Sequence, residues 1–206
     1  MRTLLFATTN PHKVAEVRAL LEPLGFEVTS LDALPTMPAE PVEDADTFAG
    51  NALLKARAYA KSTGLPCLAE DSGLEVDALG GAPGVHSARY SGTGGARAER
   101  DRANNEKLVK ALAGVPRERR AARFVCAMCL AEPDGAVVVE SSGTYDGLVA
   151  DEPRGENGFG YDPLLYLPDV GRTSAELSSD EKSARSHRGK AARALAVLLG
   201  ALSNRT

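Results

Sequence analysis

A continuous apolar run, Leu4-Leu5-Phe6-Ala7, runs without a break into Thr8-Thr9-Asn10-Pro11. The run has the pattern of a strand buried on both faces. Asn10 suits a helix N-cap and Pro11 the first helical position. Val14, Val17, Leu20, Leu21 and Leu24 then recur at helical spacing, Gly25 ends the helix, and a second strand is expected over 26–30. The chain therefore opens as strand–turn–helix–strand, a start that many α/β proteins share.

The remainder keeps the alternation. Residues 31–43 are rich in proline and acid and read as a loop. A helix is expected from about Asp46 to Ser62, with Phe48, Ala52, Ala56, Tyr59 and Ala60 on its buried side. A buried strand over 65–69 should end in Glu70-Asp71-Ser72-Gly73. A glycine-rich loop over 80–95 precedes a charged helix reaching about Ala113. Two strands, about 122–132 and 136–147, should form a hairpin around Pro133-Asp134-Gly135. Phe159-Gly160-Tyr161-Asp162-Pro163 and a short strand lead to a final helix from Ser178. This order predicts an α/β fold with a mixed sheet, and 206 residues suit a single domain, 1–206, of two lobes.

Composition removes several function classes. A net charge of -4 speaks against non-specific binding to nucleic acid, which needs a basic surface. No run approaches the roughly 18 apolar residues of a membrane span. The apolar stretch near the N-terminus is too short for a signal peptide, so a cytoplasmic protein is expected. Cys126 and Cys129 spell C-x-x-C, but they fall in a strand, where residues three apart face opposite ways. Together with Cys67 they read as buried thiols, an odd number that suits a reducing compartment.

Chemistry-bearing residues gather at a few places. Helix N-terminal N–H groups after the first strand, together with Lys13, make a phosphate site, although a capped helix with a solvated lysine explains the same residues. The glycines of a Walker A loop or a dinucleotide fingerprint are missing. Thr47, Asn51 and Lys55 share one helix face, which locally reads as a solvated side. Glu70 and Asp71 follow a buried strand, where α/β sheets hold ligands and carboxylates suit Mg²⁺. Ser178 and Glu181 form a capping box that starts the last helix. Lys182, Arg185, His187 and Arg188 make that end basic. Gly189 interrupts the helix and suggests a bend or a close approach. No Ser/His/Asp or Cys/His set is suggested.

Six segments in order resemble one family. Thr8-Thr9-Asn10-Pro11-His12-Lys13 resembles the T-x-N-x-x-K opening of the inosine/xanthosine triphosphate pyrophosphatase family, and residues 47–56 resemble its T-F-x-x-N-A-x-x-K-A helix. Glu70-Asp71-Ser72-Gly73-Leu74, Gly80-Gly81-Ala82-Pro83-Gly84 with Ser87-Ala88-Arg89-Tyr90, Gly158 to Pro163, and Glu181-Lys182 through Ser186-His187-Arg188-Gly189 follow. The resemblance implies a two-lobed α/β fold with a long, twisted mixed sheet flanked by helices, a central substrate cleft, and a homodimer. It implies hydrolysis of ITP, dITP and XTP, small-molecule nucleoside triphosphates, to the monophosphate and pyrophosphate, with Mg²⁺ as cofactor.

By the same resemblance, Asp71 is the catalytic base and, with Glu43, a metal ligand. Thr8, Thr9, Asn10, Pro11, His12 and Lys13 line the triphosphate site, Lys13 and Lys55 contact phosphate oxygens, and Ser72 contacts substrate. Phe159, Gly160, Tyr161 and Asp162, with Lys182, His187 and Arg188, form the purine pocket. Neighbouring positive charge is expected to keep Asp71 ionised. This chain departs from the family pattern at Gly50, where Glu is usual, at Glu70 in place of Asp, and at Thr9 in place of Gly. Two alternatives stand beside this reading. One is a pyrophosphatase for pyrimidine or modified nucleotides, and the other is a nucleotide-binding regulator without catalysis.

Overall fold

The computed structural model describes residues 2–203. The side chains of His12 and Ser203 lie outside the described residues, and the contact expected of His12 lies outside with them. Among the described residues seven strands form one mixed sheet in the order β2-β1-β3-β4-β5-β6-β7. They are β1 (Arg2–Phe6), β2 (Phe26–Ser30), β3 (Cys67–Val76), β4 (Ala121–Ala131), β5 (Val137–Val149), β6 (Leu165–Leu167) and β7 (Arg172–Thr173). The helices are α1 (Pro11–Leu21), α2 (Phe48–Thr63), α3 (Arg97–Ala111), α4 (Ser179–Arg185) and α5 (His187–Ser203). β1 pairs parallel to both β2 and β3, whereas β6 pairs antiparallel to β5 and to β7. The expected α/β fold is thus observed.

The opening behaves as its residues require. Leu4, Leu5 and Phe6 are fully buried, and Asn10 precedes a helix whose Val14 N–H donates to the Asn10 carbonyl at 3.1 Å. The helix ends at Leu21, earlier than Gly25. A short 3-10 turn, Glu22–Leu24, intervenes, and Gly25 closes it at φ +86°, a conformation open to glycine.

Two compact units divide the chain: Met1–Asp71 with Cys126–Gly143 and Arg188–Thr206, and Ser72–Val125 with Thr144–His187. Each has its own core. In the first unit Leu4, Phe6 and Leu68 pack with Val14, Val17 and Leu21 of α1, Cys126, Met128 and Leu130 of β4, and Leu195 and Leu199 of α5. In the second, Leu74 and Val76 pack with Leu108 of α3, Leu112 just after that helix, Phe124, Tyr145, Tyr161 and the leucines of β6. Each fully buried Leu or Phe contributes about 1.5–3 kcal/mol of hydrophobic transfer free energy. All three cysteines are free and buried.

Three further expectations differ from the structure. β3 does not stop at Ala69. It runs through Glu70-Asp71-Ser72-Gly73 to Val76, so the two acids stand inside a strand rather than at its end. The glycine-rich segment carries a 3-10 helix over Gly84–Arg89. The last helix is two helices, broken at Ser186, whose backbone is extended (φ -61°, ψ 149°). Gly189 sits within α5 and does not mark the break. The Ser178–Glu181 capping box is present, with Glu181 N–H on Ser178 Oγ at 3.3 Å and Ser178 N–H on Glu181 Oε2 at 2.8 Å.

Candidate active site

Adjacent residues on a strand face opposite ways, so Glu70 and Asp71 serve two separate clusters. Glu70 turns into the first unit, where its side chain is only 3% exposed. Arg188 Nε donates to both of its oxygens, at 2.8 and 3.1 Å, and the Lys13 ammonium lies 2.5 Å from Oε1. Burial alone would raise the Glu70 carboxyl. Arg188 and then Lys13 outweigh it and hold the group well below the usual carboxylate range. Burial would likewise lower Arg188, and Glu70 reverses that. The cluster carries two cations against one anion. Lys13, at the N-terminal turn of α1, is therefore held in place and remains suited to a second anion.

Asp71 belongs to another network of the same unit. Asn51 Nδ2 donates to its Oδ2 at 3.1 Å, and Lys55 Nζ lies 3.3 Å from Oδ1. The same ammonium reaches Glu43 at 2.9 Å, so two carboxylates converge on one cation. Asn51, 2% exposed, also accepts the Ala45 N–H at 3.0 Å through Oδ1. It thereby ties the loop that carries Glu43 to the strand that carries Asp71. The stripe Thr47, Asn51, Lys55 is therefore not a solvated face. Thr47 caps α2 by accepting the Gly50 N–H at 3.0 Å, and the other two side chains serve Asp71. Gly50 has a local reason: a Cβ there would stand 2.7 Å from the Ala45 Cβ, so the usual Glu would displace the Glu43 loop. Burial pushes the Asp71 carboxyl above the ordinary aspartate value, and Lys55 with Asn51 pulls it down without prevailing. Lys55 alone thus does not hold this group as low as its charge suggests.

Thr8 is buried, and its hydroxyl accepts the Asn10 N–H at 3.2 Å, which shapes the turn into α1. Thr9 and Pro11 are exposed and Asn10 is half-buried.

The second unit holds the Phe159–Asp162 turn. Asp162, 2% exposed, is its hub: Oδ2 accepts the Phe159 N–H at 2.8 Å and the Lys182 ammonium at 2.5 Å, while Oδ1 accepts from Ser174 Oγ at 2.8 Å. Gly158 is at φ +82°, and a side chain there would meet the Asp162 carboxylate and the Lys182 ammonium. Phe159 stays 40% exposed, with Arg97 Cζ 4.4 Å and Lys182 Nζ 5.2 Å from its ring centroid. Tyr161 is buried and its hydroxyl donates to the Ser87 carbonyl at 2.9 Å. His187 stacks on Phe124, with ring centroids 5.0 Å apart, and Ser72 is half-buried. Asp101 and Asn105 of α3, which touch Gly160, were not foreseen. For Asn105 the sequence carries a signal, since Asn104-Asn105 in mid-helix is a poor choice unless both side chains have partners; Asp101 carries none.

No group of three or more His, Cys, Asp or Glu side chains among the described residues is arranged to hold a metal. Two carboxylates meeting at one ammonium do suit a hard cation that takes its other ligands from water and phosphate oxygens. Glu70 does not suit that task, because Arg188 and Lys13 already engage both of its oxygens.

The chain is similar to known proteins over nearly all of its length. A protein of Nitratidesulfovibrio vulgaris named dITP/XTP pyrophosphatase is 52% identical over 198 residues, 95% of each chain. One of the same name from Desulforamulus reducens is 47% identical, over 97% of this chain and 96% of the other. The solved structure of a HAM1 protein from Coxiella burnetii superposes with a TM-score of 0.86 at 41% identity, covering 97% of this chain and 98% of that one. The Ham1 family model matches residues 4–198. With the ordered segments, the mixed sheet and both clusters in place, the chain is a member of the Ham1 family.

Proposed function

We propose that this protein is a Mg²⁺-dependent pyrophosphatase that hydrolyses non-standard purine nucleoside triphosphates, ITP, dITP and XTP, to the monophosphate and pyrophosphate. The observation that carries the reading is the convergence of Asp71 and Glu43 on Lys55, with Asn51 fixing Asp71 from its other oxygen. The names of the relatives support the substrate class.

In this reading Asp71 accepts a proton from water as the water oxygen adds to phosphorus. The bridging bond between the α- and β-phosphates breaks and pyrophosphate leaves. Mg²⁺, held by Asp71 and Glu43, supplies charge neutralisation on the phosphate oxygens when bound. Lys55 and Lys13 add positive charge where the leaving pyrophosphate gathers negative charge. Thr8, Thr9, Asn10, Pro11 and His12 shape the phosphate-binding turn around Lys13, and Ser72 contacts the substrate. Phe159 offers a stacking face for the base, held by Gly160, Tyr161 and Asp162. Lys182 and His187 are assigned to recognition of the purine, and so is Arg188, through the nitrogens other than the Nε engaged by Glu70. A donor that rewards a 6-oxo group loses its partner against the 6-amino group of adenine, and an unpaired buried donor discriminates strongly. The reading extends to a homodimer acting in the cytoplasm, where three free thiols are at home.

The test is a product assay on ITP, XTP, dITP, GTP, ATP and dTTP, with Mg²⁺ and with excess chelator. Pyrophosphate from the first three, lost on chelation and restored by Mg²⁺, is the expected result. Orthophosphate as the product would overturn the reaction type, and comparable rates on GTP would overturn the substrate class.

A further inference from the structure

Gly160 is gripped at both of its backbone groups by one face of α3. Its N–H donates to Asp101 Oδ2 at 3.0 Å, and its carbonyl accepts from Asn105 Nδ2 at 3.0 Å. Asp101 and Asn105 are four residues apart and therefore neighbours on the helix surface. Gly160 lies at φ +62°, so the turn is one that glycine adopts readily and that nothing in its own side chain stiffens. The helix supplies that stiffness from outside. Arg97, on the first turn of the same helix, lies over the Phe159 ring. Asn104, next to Asn105, accepts the Ser91 N–H at 2.7 Å and donates to the Ser87 carbonyl at 3.2 Å, the carbonyl that also receives the Tyr161 hydroxyl. One helix thus fixes Phe159, Gly160 and, through Ser87, Tyr161.

The state of Asn105 separates a positioning role from plain packing. The residue is 8% exposed, and its Oδ1 has no hydrogen-bond partner among the described residues. A buried acceptor left unsatisfied is destabilising, because the water it loses on folding is not replaced. A leucine, branched alike and with the same number of side-chain heavy atoms, carries no such acceptor, so packing alone does not select Asn105 here. What it provides is the single donor that Gly160 receives from the helix. Residues that break a local packing rule in this way mark functional positions.

We propose that α3 is the positioning element of the base-binding face, with Asp101 and Asn105 clamping Gly160 so that the Phe159 ring is presented to the purine. This rests on the reading of Phe159 as the stacking face. The clamp acts through Phe159 and does not itself touch the reacting atoms.

Steady-state kinetics on ITP for Asn105→Leu, Asp101→Leu, Asp101→Asn and Phe159→Ala, with thermal unfolding of each, tests the clamp. Asn105→Leu should raise KM for ITP about fivefold, the effect of one ordinary hydrogen bond, with kcat within about twofold and the melting temperature unchanged or higher. Asp101→Leu should act alike on KM. Asp101→Asn, which keeps an acceptor for the Gly160 N–H, should restore wild-type KM. Inhibition by inorganic tripolyphosphate, which has no base, should be the same in all. An unchanged KM in Asn105→Leu, while Phe159→Ala raises it, overturns the clamp and leaves the stacking reading intact. An unchanged KM in Phe159→Ala overturns the stacking reading and the clamp with it. Weaker tripolyphosphate inhibition in Asn105→Leu, in step with its loss of ITP affinity, shows general disruption and also overturns the clamp.

Discussion

Replacing Arg188 by Met removes the main partner of a carboxylate that has almost no access to water. Glu70 is 3% exposed at its side chain and takes two contacts from Arg188, at 2.8 and 3.1 Å. Breaking a buried ion pair from one side costs roughly 3–5 kcal/mol, because the remaining charge stays buried. Lys13 remains 2.5 Å away and compensates in part, so the low end, about 3 kcal/mol, is expected. For a chain of this size each kcal/mol lowers the melting temperature by about 2–4 °C, giving a fall of about 6–12 °C at neutral pH. The pH dependence has a definite sign. The folded-state value of Glu70 lies below its unfolded value of about 4.5, so its pairing stabilises fully above that pH and is lost as pH falls through the folded value. In Arg188→Met burial meets less opposition and the folded value rises. The gap between wild type and variant should therefore narrow as pH drops below about 4.5. Glu70→Met/Arg188→Met, which leaves no buried carboxylate, should regain most of the loss, with a coupling of about 2 kcal/mol or more across the cycle. Calorimetry at pH 7.5 and over a descending pH series reads all three. A fall of less than about 2 °C, or a gap independent of pH, would refute the account of Glu70 as a charge held by Arg188.

Asp71→Asn should lower the rate of pyrophosphate release from ITP at least about 100-fold while leaving nucleotide affinity by calorimetry nearly unchanged, since general-base catalysis contributes about that much or more; near-normal turnover would remove Asp71 from that role. Asn51→Leu should slow turnover about tenfold or more, because Asp71 and the Glu43 loop both lose their tie, and an unchanged kcat would show that Asn51 positions neither. Burial pushes Cys67 up to about 12 and Cys129 up to about 11, and Cys126 well above its ordinary value. Iodoacetamide at pH 8 should therefore leave all three thiols unlabelled until denaturant is added, and rapid native labelling seen by intact-mass measurement would contradict their burial.

What the sequence made legible is what neighbouring residues determine among themselves. β1, the start of α1 and the apolar side of α2 depend on period, cap and proline placement, and the structure has them where those signals put them. The acids at 70 and 71 show the opposite case. Followed by serine and glycine, they resemble the end of a strand, because a carboxylate in mid-strand has no local partner that would permit burial. Their partners come from far along the chain: Arg188 lies 118 positions from Glu70, and Asn51 lies 20 from Asp71. With those partners supplied, the strand continues to Val76 and the alternation of its faces sends the two acids to different tasks. The polar stripe of α2 was ambiguous for the same reason. Thr47, Asn51 and Lys55 have a solvated face's spacing, and only the loop carrying Glu43 and the strand carrying Asp71 turn that face into a site. Asn105 on α3 is the sharper instance. Its residue type already conflicts with its helix, and the conflict resolves only when Gly160, 55 positions away, is found accepting its amide. Where a polar residue sits badly with its own segment, the missing reason is a partner at long range, and those positions are the ones to mutate first.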